Sequence, residues 1–140
     1  MKKYRKRIYD TLLDYRLEET GAVVIEGPKW CGKTTTAEQK AKSILYMNDP
    51  DSIQQNLELA KIQSKLLLQG ENPRLIDEWQ LAPNLWDSIR FEVDHRKKEG
   101  QFILTASAIP NDSDKKRHTR NRTIFLDYDE TYESLGIRRF

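Results

Sequence analysis

The sequence predicts an α/β fold: three layers, α/β/α, built on a five-stranded and mostly parallel sheet. Three observations carry this expectation. Short apolar runs recur along the chain without the polar alternation of a half-exposed strand. Stretches of helical spacing separate most of them, the pattern of repeated strand–helix–strand units. The chain has 140 residues, about the length of one ordinary domain with a single core.

The first twenty residues read as an amphipathic helix, with Tyr4, Ile8, Leu12 and Tyr15 at helical spacing among Lys and Arg, stopped by Gly21. Ala22-Val23-Val24-Ile25, β-branched at three of four positions, is a buried parallel strand. Residues Gly27 to Gly32 break it, and a helix follows over Thr34 to Ser43. Ile44-Leu45-Tyr46-Met47 is the second strand, closed by the turn-like Asn48-Asp49-Pro50-Asp51. Ile53, Leu57, Ala60 and Leu67 fit one face of a single helix ending near Gly70. Arg74-Leu75-Ile76 is the third strand. Asn84 is placed to cap a helix carrying Leu85, Ile89 and Val93, with Trp86 beside them, ended by Gly100. Phe102-Ile103-Leu104-Thr105 and Thr123-Ile124-Phe125-Leu126 are the fourth and fifth strands. Residues Asn111 to Arg122 have no apolar period and are expected to form a mobile loop. No internal repeat is visible, so residues 1–140 read as one domain.

Composition excludes several classes. Hydrophobic residues are 37% and charged residues 33%, which implies a heavily charged surface around a small core. No apolar stretch approaches the roughly 20 residues that span a bilayer, and no hydrophobic signal region follows the basic start Lys2 to Arg7. The lone Cys31 cannot form an internal disulfide, which fits a reducing cytosol and a cytoplasmic protein. A net charge of +2 names no partner. Basic clusters at Lys2–Arg7 and around Lys115-Lys116-Arg117 can contact nucleic-acid phosphates, but no recognition helix or aromatic-interleaved strand supports that partner. His95 and His118 form no metal-ligand spacing with each other or with Cys31 and are expected at the surface.

The segment that carries chemistry is Gly27-Pro28-Lys29-Trp30-Cys31-Gly32-Lys33-Thr34, a match to G-x-x-x-x-G-K-[ST]. Glycines let the backbone curl and aim successive N–H groups at one anion. The loop opens into a helix, whose N-terminus adds partial positive charge. Lys33 reaches the terminal phosphates, and the Thr34 hydroxyl is a hard oxygen ligand for Mg²⁺. The nucleotide-binding set expected from the loop is Gly27 to Thr34 with the adjoining Thr35. A chance match in a chain of this length is expected in roughly one sequence in a few hundred. The competing reading is a glycine-rich turn with a solvated lysine. Its position after a strand and before a helix favours the phosphate loop.

Leu75-Ile76-Asp77-Glu78 ends an apolar strand in two acids. Phosphoryl transfer needs one acid for Mg²⁺ and often a second to orient the attacking water; Asp77 suits the first role and Glu78 the second. At the carboxyl end of a parallel strand both lie at the sheet edge that holds the phosphate loop. Phe102 to Ser107 ends in hydroxyls, and Ser107 or Thr105 is placed to touch the γ-phosphate or the water. Trp30, Trp79 and Trp86 lie near this site in sequence, with packing as the simple explanation; Trp79 is alternatively placed to shield the water.

Three segments together resemble the AAA+ branch of the P-loop ATPases: Val24 to Thr34, Arg74 to Gln80, and Phe102 to Ala108. The resemblance covers about Tyr4 to Pro110 and is strongest to prokaryotic ATP-binding proteins that join an N-terminal AAA-type domain to a C-terminal domain of unknown function. It implies a P-loop NTPase core with the phosphate-loop strand placed centrally, the acidic-pair strand two places away and the Ser107 strand between them. It further implies Lys33 and Thr34 as nucleotide and Mg²⁺ contacts, Asp77 as the Mg²⁺-associated acid, Glu78 as the catalytic glutamate and Ser107 as the polar sensor. Arg122 is the nearest match to a trans-acting arginine finger, and the chain is expected to lack the helical lid and C-terminal domain.

The expected function is Mg²⁺-dependent ATP binding with hydrolysis that is slow in the isolated chain, because a neighbouring subunit or a protein partner supplies the arginine. A nucleotide-binding switch without catalysis is the alternative. A small-molecule phosphoryl transferase is a third reading, for which the sequence offers no acceptor site.

Overall fold

A computed structural model describes residues 8–27, 32–107 and 123–127. The elements in chain order are α1 (Ile8–Glu19), β1 (Ala22–Glu26), α2 (Lys33–Glu38), β2 (Ser43–Tyr46), α3 (Ile53–Ile62), α4 (Ser64–Leu67), β3 (Arg74–Asp77), a 3₁₀ turn (Trp79–Leu81), α5 (Leu85–Arg96), β4 (Phe102–Ala106) and β5 (Thr123–Asp127). The sheet runs β2-β3-β4-β1-β5, and every strand pair is parallel. β4 separates β1 from β3, as the resemblance implies. β1 is interior, between β4 and β5.

Successive strand residues face opposite sides, so each apolar run feeds two cores. Val23, Ile25, Leu75 and Ile103 pack with Leu12, Leu13 and Leu17 of α1 and Ala37 of α2. Ala22, Val24, Ile76, Phe102, Leu104 and Ala106 pack on the other side with Ala60 of α3, Leu67 of α4 and Leu85, Trp86, Ile89 and Val93 of α5. Helices therefore cover both faces, giving the three layers. The face change follows from chirality. The chain moves outward from β1 to β2 through α2, then inward through α3, α4 and α5 to β4. Crossovers of one hand travelling in opposite directions must lie on opposite faces. Gly21 has a packing reason beyond ending a helix: a Cβ there would lie 2.3 Å from Val93 Cγ1.

Five local expectations are corrected. Tyr15 of α1 is 53% exposed, and the buried stripe is Leu12, Leu13 and Leu17, which meets the sheet. α2 is shorter than expected; it stops at Glu38, and Ser43 begins β2 with its Oγ donating to the Glu71 carbonyl at 2.6 Å. The single helix expected over Ile53–Leu67 is two, because Gln63 leaves the helical region at φ −141°, ψ 64°. Asn84 does not cap α5: it is itself helical, and its Nδ2 donates to the Ala60 carbonyl, tying α5 to α3. α5 ends at a left-handed Lys97 rather than at Gly100. Trp79 packs in the core against Trp86, ring centroids 5.0 Å apart, so packing is its observed role. His95 is exposed and stacks on Phe91. Tyr4, Pro28–Cys31, residues 111–122 and His118 lie outside the described residues. No helix among the described residues is long and apolar enough to cross a membrane.

Candidate functional site

Parallel pairing aligns the carboxyl ends of β1, β3 and β4 along one edge of the sheet, and the three motifs of the sequence meet there. Glu26 aligns with Ala106, and the Gly27 N–H donates to the Ala106 carbonyl at 3.3 Å, so β1 enters the loop beside the end of β4. Gly32 re-enters the described chain with φ 96°, ψ 7°, a left-handed conformation that a side chain resists, and α2 starts directly from it. The Thr36 N–H then donates to the Gly32 carbonyl at 3.0 Å. This short helix places Lys33 and Thr34 over the ends of β4 and β3. Thr35 is exposed.

The Thr34 hydroxyl donates to Asp77 Oδ1 at 2.7 Å. The Lys33 ammonium donates to Ser107 Oγ at 3.2 Å. The Ser107 hydroxyl in turn lies 2.8 and 2.7 Å from the two Glu78 carboxylate oxygens, and its one proton serves one of them at a time. Lys33, Asp77 and Glu78 are 4%, 5% and 8% exposed. Hydroxyls therefore link a cation and two acids at the rim of the sheet. Glu78 sits at φ 59°, ψ 50°, a left-handed conformation uncommon for a residue with a side chain. It lets the chain leave β3 and turn at once into the Trp79–Leu81 segment.

Of the residues singled out in the sequence, Lys33, Thr34, Asp77, Glu78 and Ser107 are brought together. Thr105 is not at the rim: it is 0% exposed and cannot touch a ligand. It bonds instead to Asp77 Oδ1 at 2.6 Å and accepts the Glu78 N–H at 3.0 Å. A hydroxyl inside an otherwise apolar strand was the signal for such a partner, since buried polar groups are paired.

Two contacts were missed in the sequence. The Tyr46 phenol donates to Glu38 Oε2, joining the end of β2 to the end of α2, and Tyr46 aligns with Asp77 across the β2–β3 pair. Burial, the Glu38 hydrogen bond and charge, and the charge of Asp77 push the Tyr46 phenol up to about 12.

The oxygen donors at the rim suit Mg²⁺. That ion prefers oxygen ligands and is usually held by one or two protein groups with phosphates and waters completing its shell. Thr34 and Asp77 supply two such oxygens side by side. No group of three or more His, Cys, Asp or Glu that could hold a metal by itself occurs among the described residues. The residues fit a Mg²⁺ shared with a bound phosphate better than a closed metal site.

A family model described as an AAA domain matches residues 19–129. The chain belongs to the AAA family. That span contains the phosphate loop, the Asp77-Glu78 pair and Ser107, and membership in this family of P-loop ATPase domains supports nucleotide binding. No curated protein sequence matches the chain. Among solved structures, PCH-2 of C. elegans is similar at 13% identity, with a TM-score of 0.40. The match covers 89% of this chain and 41% of the PCH-2 chain.

Proposed function

We propose that this AAA domain binds ATP with Mg²⁺ and hydrolyses it. The observation that supports this most strongly is the 2.7 Å bond between Thr34 and Asp77, which are 43 positions apart in sequence. It joins the hydroxyl next to the loop lysine to the acid at the end of β3, the pairing a phosphate-bridging cation needs.

In this reading the backbone of Gly27–Gly32 and Lys33 hold the triphosphate. Thr34 and Asp77 would hold Mg²⁺, which would supply positive charge against the negative charge that develops on the phosphates. Glu78 orients the attacking water in line with the γ-phosphate, and Ser107 contacts that phosphate or the water. Lys33 stabilises the charge that builds during transfer. An arginine from a second copy or a protein partner completes the site, so the isolated domain turns over slowly. The domain acts in the cytoplasm.

One observation favours a second reading, a nucleotide-dependent switch. Ser107 occupies the carboxylate of Glu78, the group that would have to receive water. A site that keeps this contact with nucleotide bound would hold ATP without cleaving it.

Single-turnover measurement of phosphate release separates the two. Hydrolysis predicts product from the wild type and a loss of about a hundredfold or more in Glu78→Gln, with ATP affinity retained, since such positioning groups are worth roughly 10²–10⁴ in rate. Tight binding with no product over hours gives the switch. Fast turnover that survives Glu78→Gln rejects the mechanism.

A further inference from the structure

We propose that Thr105 is a positioning residue that locks the two acids of the site to each other and tunes its response to Mg²⁺. The inference rests on the MgATP reading above and assigns a role to a residue that no ligand can reach.

Thr105 is the fourth residue of β4, in a run that is otherwise Phe, Ile, Leu and Ala, and the whole strand is buried. A hydroxyl there has one proton and can also accept. The proton goes to Asp77 Oδ1 at 2.6 Å, and the oxygen accepts the Glu78 N–H at 3.0 Å. With both roles filled, the hydroxyl cannot rotate without breaking a bond in a buried place. Leaving a buried polar group unmade is costly.

Each bond constrains a different acid. Asp77 Oδ1 takes two hydroxyl donors, Thr105 from β4 and Thr34 from α2. Two donors on one oxygen fix the plane of the carboxylate. Glu78 is held through its backbone. Its left-handed conformation, φ 59°, is uncommon for a residue with a side chain and persists where the surroundings enforce it. The N–H bond to Thr105 is such a restraint at the residue itself. Ser107, the residue just past the end of β4, holds the Glu78 side chain. β4 and the residue after it thus grip the acidic pair three ways, and Thr105 is the member that touches both acids.

A buried hydroxyl that merely satisfied its neighbours would affect folding and ATP affinity equally with or without metal. A positioning role predicts an effect on the metal-dependent part alone. The test is equilibrium binding of ATP, once with Mg²⁺ and once with EDTA, to the full chain and to Thr105→Val, a near-isosteric change that removes the hydroxyl. Thermal melting of each protein accompanies it. The gain in affinity that Mg²⁺ gives the wild type should fall about tenfold in Thr105→Val, as expected for one lost hydrogen bond to a charged group. Affinity in EDTA should be unchanged, and Thr105→Ser should restore the Mg²⁺ gain.

A Thr105→Val protein with the full Mg²⁺ gain, or with equal losses in Mg²⁺ and EDTA, overturns the proposal. If Thr105→Val does not fold, Thr105→Cys replaces the hydroxyl with a weak thiol donor. A reduced Mg²⁺ gain in that variant upholds the proposal, and a wild-type gain overturns it. A wild type that binds ATP while Thr105→Val behaves identically refutes this inference and leaves the MgATP reading standing. A wild type that binds no ATP removes both.

Discussion

Both edges of the sheet carry polar networks among the described residues but use them differently. At the amino edge, Arg96 sits beside a cleft of about 440 Å³ lined by Gln69, Gly70, Asn72, Arg96, Lys98 and Gln101. Its Nε donates to Glu92 Oε1 at 3.1 Å, its Nη2 forms an ion pair with the same oxygen at 3.1 Å, and its Nη1 donates to Asn72 Oδ1 and Gln101 Oε1 at 3.3 and 3.0 Å. It also lies over the Phe102 ring, 5.1 Å from the centroid. Asn72 and Gln101 pass further bonds to the backbone. The cation and its acid meet directly, and the amide acceptors are consumed. At the carboxyl edge, hydroxyls of Thr34, Thr105 and Ser107 mediate between Lys33, Asp77 and Glu78. Direct ion pairing with neighbouring amides makes a self-contained structural network. Hydroxyl-linked acids are held in place yet keep lone pairs for a cation or a water. Under the proposed function the carboxyl edge is the working one, although the amino edge has a sizeable cleft.

That contrast can be broken most severely at Arg96. Arg96→Met keeps the stem over Phe102 but leaves Glu92, Asn72 and Gln101 without their donor. Chemical denaturation should show a loss of about 1–3 kcal/mol, the cost of unpaired polar groups that are largely buried. ATP affinity, measured where the variant is folded, should not move. A change in affinity with stability intact would reverse the assignment of the two edges.

A smaller effect sharpens the carboxyl edge. The Tyr46 phenol titrates at about 12, above its ordinary 10. The raised value means the folded protein holds the phenolic proton more tightly than the unfolded chain. The associated stability is present below about pH 10 and is lost as pH rises toward about 12. Tyr46→Phe should remove this component of the alkaline loss, and ultraviolet titration of the phenolate should lose one high-pH tyrosine. An unchanged titration in Tyr46→Phe would show that Tyr46 is not the shifted group.

Much of this was legible in the sequence, for physical reasons. Buried parallel strands are continuous apolar runs, and β1, β3, β4 and β5 were visible as such within a residue or two. The α5 face of Leu85, Ile89 and Val93 obeyed helical spacing and is buried. Less was legible where a tertiary contact outbid local pattern. The break at Gln63 has no glycine or proline to announce it. Asn84 has the composition of a cap, but its amide is drawn to the Ala60 carbonyl of α3. Tyr15 shares a helical period with Leu12 yet faces solvent, because Leu13 and Leu17 point at the sheet. In the site, residue types named Lys33, Thr34, Asp77, Glu78 and Ser107. The resemblance implies that β4 lies beside the acidic-pair strand, but residue types do not show that Thr105 lies beneath the rim with both its donor and acceptor roles spent on Asp77 and Glu78. Tyr46 and Glu38 are eight positions apart and meet because the chain doubles back between α2 and β2.

In the proposed function Lys33, Thr34 and Asp77 form one grip on a Mg²⁺-bound triphosphate. Calorimetric titration of ATP in the presence of Mg²⁺ into the wild type and Lys33→Ala tests it most directly. The wild type should bind saturably, and Lys33→Ala should bind about ten- to a hundredfold more weakly, as loss of a charge-assisted contact requires. Equal affinity in the two proteins, or a wild type that takes up no nucleotide, would contradict it.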